Sequence, residues 1–276
     1  MEQMPTSVLD APSWALRARQ ALAVVVVELR KILGGKRMVT ICLLASLPVI
    51  VVFLIAIEAP GPSRVTAQRY FGNIYSVVVL GATVFFGCAL VFTHLFRGEI
   101  LRRSLHFYLL APLRREVLTV AKYVAGLLAV YALFGGVTVL VYPVFMVIAD
   151  AVSGTGGPEI VEMLRYLGTT ILGCTAYGAV FLLFGTLFRN PILPVAGLLG
   201  WEALNFLLPS GIRVASVSHH LKALLPVPGP IEQTFGGLAQ PPTAATAVLS
   251  LLVLSAVAVA LACYRVRRME IRYTDD

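Results

Sequence analysis

Six stretches of this chain run for about twenty residues each with almost no charge, which is the length a helix needs to cross a bilayer. Short connections, basic or rich in proline and glycine, separate them. No other feature constrains the fold as much. In hydrocarbon every backbone N–H and C=O must find its partner within the segment, so a chain of such runs folds as membrane helices. The runs lie at about 38–57, 73–96, 123–149, 166–188, 191–209 and 243–264. Composition agrees: 13% of the 276 residues are charged, against about 25% in soluble domains. The expected fold is an all-α polytopic membrane protein.

Orientation follows from the distribution of lysine and arginine. If both termini share a side, that side holds 17 of the 22 basic residues and the opposite side holds 5. The positive-inside rule then places both termini in the cytoplasm and the protein in the inner (cytoplasmic) membrane as a multi-pass chain. The net charge of +8 is spent on topology in short patches, which argues against nucleic acid as a partner. Glu2, Asp10, Pro5 and Pro12 near the amino terminus do not read as a cleaved signal. Cys42, Cys88, Cys174 and Cys263 each sit in a different apolar run without CxxC spacing, so no zinc site or disulfide framework is indicated.

Residues 1–37 form the amino-terminal segment. Within it, 14–34 are expected to be an amphipathic helix lying in the membrane interface among lipids. At about 100° per residue, Trp14, Leu22, Val25, Leu29, Ile32 and Leu33 share one face. Arg17, Arg19, Gln20, Glu28, Arg30, Lys31 and Arg37 spread over the other, and Trp14 sits at headgroup level. Gly34-Gly35 predicts a break before the first span.

Residues 97–122, RGEILRRSLHFYLLAPLRREVLTVAK, are the most charged interior segment. Topology explains the arginines, and Glu99 and Arg103 stand at i,i+4 where they can pair on a helix surface. It does not explain Leu105, Phe107, Tyr108, Leu109 and Leu110, which a solvated loop does not need. Apolar residues rimmed by Arg114 and Arg115 predict a docking helix that ends near Pro112. The tail, 265–276, lies on the same side.

Catalytic patterns are missing: there is no phosphate loop, no HExxH and no GxSxG. Glu202 is the only Asp, Glu, Lys or Arg in the interior of a span, with Asn205 one turn away. Such a residue should face protein or a water-filled path, so a pathway or dimer-interface role stands beside a structural hydrogen bond to a neighbouring helix. His219 and His220 are adjacent, which on a helix turns them about 100° apart and disfavours a shared metal. In the outer segment 210–242, Val214, Val217, Leu221 and Leu224 recur at helical spacing, compatible with a short helix or with a surface loop. Thr170, Cys174, Gly178 and Gly185 put small residues on one face of the fourth span, where another helix can approach closely.

The loop Glu99, Ser104-Leu105, Leu109-Leu110, Pro112, Arg115, Lys122 resembles the first cytoplasmic loop of ABC-2 type transporter permeases, the membrane subunits of type-2 ABC exporters. Ser104 stands where threonine is common, and Arg103 where glycine is usual. The resemblance implies an interfacial connecting helix followed by six spans. It also implies a coupling helix around 104–111 seated on a separately encoded ABC ATPase, and a second permease, an identical copy or a close paralogue, completing the transporter. ATP and magnesium would be held by that ATPase, with no cofactor on this chain, which would act as a transporter and not as an enzyme. Substrate would leave between the two permease copies, past the surroundings of Glu202 and residues 210–242. With no large outer domain for a binding protein to dock on, export is expected over import. Two other classes remain: a membrane anchor for a non-transport complex, and an intramembrane lipid-modifying enzyme, which should show acidic or histidine residues clustered at one membrane face.

Overall fold

The computed structural model describes residues 13–58, 64–101, 114–154, 156–188, 190–204, 213, 215–227 and 242–268. Among them there is no strand. The helices are α1 (Ser13–Gly34), α2 (Lys36–Glu58), α3 (Arg64–Ile74), α4 (Phe85–Leu101), α5 (Arg115–Val130), α6 (Gly136–Ser153), α7 (Ile160–Leu187), α8 (Ile192–Leu204), α9 (Val217–Ala223) and α10 (Ala244–Arg267). The chain bends at Gly35 between α1 and α2, as the paired glycines predict. Two π-helical stretches join neighbours into longer rods: Tyr75–Val84 links α3 to α4, and Tyr131–Gly135 links α5 to α6.

Five described helices are long and apolar enough to cross a membrane: Arg37–Ile55, Arg64–Gly98, Arg115–Ala151, Ile160–Leu187 and Ala244–Arg267. Several outrun the apolar stretches from which they were predicted. Between the predicted spans 38–57 and 73–96, helix resumes as early as Arg64. Charged residues can extend these helices because they pair across them. Arg64 Nη2 lies 2.9 Å from Glu159 Oε1, joining the start of α3 to the residue preceding α7. Tyr142 donates to Glu162 at 2.7 Å, and Gln68 donates to the same carboxylate. The expected span at 191–209 is described only as the 13-residue α8, about 20 Å of helix against a hydrocarbon core of about 30 Å.

α7 lies at the centre, with its broadest contacts against α4 and α10. Thr170, Cys174, Gly178 and Gly185 are all buried there, so the small-residue face does pack. At Gly185 a Cβ would lie 2.8 Å from the Thr93 carbonyl oxygen, and only glycine permits that approach. Several polar groups inside the bundle are paired. Tyr75 donates to the Tyr166 carbonyl at 2.7 Å, Thr138 and Thr170 hydroxyls lie 2.9 Å apart, and Tyr123 donates to the Thr175 carbonyl at 2.8 Å. Phe71, Tyr75, Tyr142 and Tyr166 form an aromatic knot with ring centroids 4.6–6.1 Å apart. The second π stretch pushes Phe134 against α4, where Gly87 leaves the space: a Cβ there would fall 2.0 Å from the ring.

The helices alternate in direction, so the molecule has two distinct ends. α1, the start of α2, the end of α4, the start of α5 and the end of α10 meet at one, here called the basic end. The Arg64–Glu159 pair, the turn from α6 to α7 and α9 lie at the other.

Candidate functional site

At the basic end, α1 lies along α5. Lys122 is fully buried between them, and its ammonium donates to Glu28 Oε1 at 2.8 Å. The same ammonium donates to the Leu95 carbonyl of α4 at 3.2 Å and sits 5.4 Å from the centre of the Phe96 ring. Glu28 is only 3% exposed, and its Oε1 also accepts from Lys31 at 3.2 Å. One cation therefore ties three helices together. An ammonium has three donors, and two of them are accounted for by an anion and the Leu95 carbonyl of α4. An isolated charge buried here would be strongly penalised, whereas a paired and hydrogen-bonded one is not.

One residue of α1 departs from the predicted pattern: Glu28, expected on the polar face, is buried, while the apolar Leu22 and Leu33, expected to face lipid, are 67% and 45% exposed. The face toward α5 runs through Val25, Glu28 and Ile32, and the strongly apolar Leu22, Val26 and Leu33 look outward. Periodicity finds an apolar stripe but cannot tell whether protein or lipid covers it; the need to neutralise Lys122 decides. Arg30 is exposed, and Lys31 flanks the ion pair. Trp14 and Arg17 lie on the first turns of α1.

Beside this junction, α5 and α10 are laced by charge. Arg115 Nη1 donates to the Arg267 carbonyl at 3.0 Å, and Arg267 Nη1 lies 2.9 Å from Glu116 Oε1. Arg114, Arg115, Glu116 and Arg267 line a cavity of about 430 Å³. Arg114 and Arg115 were predicted as docking residues; Glu116 and Arg267 were not singled out. Of the other expected loop residues, Arg103, Leu105, Phe107, Tyr108, Leu109 and Pro112 lie outside the described residues, as does the side chain of Glu99.

At the far end of α8, Glu202 caps the short helix α9. Its Oε2 accepts from the Ser216 hydroxyl at 2.6 Å and the Ser218 N–H at 3.1 Å, and its Oε1 accepts from the Val217 N–H at 3.0 Å. Backbone N–H groups only donate, so a carboxylate is the natural partner for the start of this helix. Asn205 lies outside the described residues. The spacing of Val217 and Leu221 does mark a helix: both are buried, and Leu221 reaches Gly173 of α7. The rings of His219 and His220 have centroids 5.5 Å apart, and among the described residues no group of three or more His, Cys, Asp or Glu is placed to hold a metal.

Two signals for the central junction were present in the sequence, an acid in an otherwise basic helix and a lysine at the mouth of a span. Nothing in the sequence links them, because they are 94 residues apart. The chemistry available is mechanical: the ion pair fixes α1 to α4 and α5 on both sides of the 102–113 connection. No curated protein matches the chain closely enough to count as a relative. A family model described as ABC-2 family transporter protein matches residues 24–199, well over half of the chain and all of the junction from Glu28 to Lys122. With its membrane-length apolar helices and this match, the chain belongs to the ABC-2 family of transporter membrane proteins.

Proposed function

We propose that this chain is the permease subunit of an ATP-driven exporter, in which two copies assemble with two copies of a separately encoded ATPase that holds ATP and Mg²⁺. Family membership supports the general role, and the basic end supports the division of labour. The connection 102–113, rich in apolar residues between arginines, offers a docking surface for a soluble partner. The observation that carries the reading is the buried Lys122. Through Glu28 and the Leu95 carbonyl it joins the two helices flanking that connection to α1. A push on the connection then reaches α1, α4 and α5 as one body, and through α4 the central helix α7. The basic end faces the cytoplasm in this reading, and α8 with the Glu202-capped α9 lies near the exit between the two permease copies.

The test is co-expression with candidate ATPases and purification from the inner membrane. The wild-type chain should retain an ATPase whose hydrolysis, in nanodiscs, rises with members of a substrate panel. A Phe107→Asp, Arg115→Glu double variant should fold and lose the ATPase. Undiminished co-purification of that variant would refute the docking surface.

A further inference from the structure

We propose that the cavity between the first turn of α5 and the last turn of α10 is a binding site for the headgroup of an anionic phospholipid. Among the described residues its lining is three guanidinium groups and one carboxylate, Arg114, Arg115, Arg267 and Glu116. The carboxylate is already engaged by Arg267 at 2.9 Å, and among the described lining residues the arginines outnumber it three to one. The contact from Arg115 to the Arg267 carbonyl at 3.0 Å holds the two helix ends together, so the site is framed before any ligand arrives. Guanidinium forks match phosphate oxygens in pairs, and five N–H donors per arginine allow a framing contact and a ligand contact at once.

What selects a lipid over a soluble anion is the surface that leads to the cavity. On α5 the exposed side chains Val120, Val124 and Leu128 recur every fourth residue, and Glu116 continues that row to the cavity wall. On α10 Val257, Leu261 and Tyr264 form a matching exposed row, and Arg267 follows one turn later. Arg268 sits over the Tyr264 ring at 4.5 Å, an aromatic and cationic combination typical of headgroup depth. The cavity thus stands where two apolar stripes end at the basic end of the molecule. Acyl chains can lie along the stripes while the phosphate enters between the arginines. Basic pockets between membrane helices recognise acidic headgroups through this arrangement.

This inference needs only that the chain sits in a bilayer, so it can fail or hold independently of any ATPase. The experiment is native mass spectrometry of the purified full-length permease after delipidation and addition of phosphatidylglycerol or phosphatidylcholine. The wild type should retain phosphatidylglycerol preferentially. The Arg267→Gln variant should lose about fivefold in that retention, and the Arg115→Gln, Arg267→Gln pair about fivefold more. Arg165→Gln, at the opposite end of the molecule, should leave it unchanged. Arg267 is exposed at the end of α10, so its single variant keeps the measurement meaningful if the double variant unfolds. Equal retention of the two lipids by the wild type, or undiminished phosphatidylglycerol binding by Arg267→Gln, would overturn the proposal. Cross-links from the cavity to a second copy, undisturbed by phosphatidylglycerol, would also overturn it.

Discussion

Lys122 holds a positive charge with no contact to solvent, and its partner Glu28 is almost as deeply enclosed. Removing Glu28 leaves Lys122 without its carboxylate, and removing Lys122 leaves Glu28 with the half-exposed Lys31; breaking a buried pair typically destabilises a protein by about 3–5 kcal/mol. Lys122→Met alone and Glu28→Leu alone should each lower the thermal midpoint in detergent sharply. The double variant Glu28→Leu, Lys122→Met should regain most of the loss, because two apolar side chains leave no buried charge behind. A double variant as unstable as the sum of its parents would show that the two residues do not act as a pair. Both were visible in the sequence, and each had a sufficient local explanation, Glu28 as part of a polar face and Lys122 as part of a basic loop. The ion pair is a fact of packing between distant helices, and single-helix periodicity carries no information about it.

Among the elements, α8 and α9 are joined in an unusual way. No residue of α8 is buried within the chain, and a principal tie to the rest of the described structure is the carboxylate of Glu202 on the first N–H groups of α9. Glu202→Ala should release those donors, so amide exchange at Val217 and Ser218 should speed up by about tenfold while amides of α7 stay protected. Glu202→Gln keeps one acceptor oxygen and should give an intermediate rate. Exchange unchanged in both variants would mean that the cap does not hold α9. The sequence marked Glu202 as exceptional and marked α9 by the spacing of Val217 and Leu221, but it did not bring them together. The π stretches were not legible at all. Tyr75–Val84 is as apolar as an α-helical span, and a wider turn changes which side chains face inward without changing hydropathy.

For the whole molecule, the uneven distribution of lysine and arginine predicts which end faces the cytoplasm. In a background with all four cysteines replaced, a cysteine at Arg268 should react with a membrane-impermeant maleimide only after cells are opened, and a cysteine at Arg213 should react in intact cells. The reverse pattern would invert the topology. Length adds something that charge does not. From Arg64 to Gly98 the chain is a single rod of 35 residues, about 50 Å at helical rise, against roughly 30 Å of hydrocarbon. A rod of that length acts as a lever. If it rocks as a unit by about 10°, one end travels on the order of 9 Å relative to the other, with no helix having to unwind. Leu95, whose carbonyl holds Lys122, is near one end of this lever, and Arg64, which grips Glu159, is at the other.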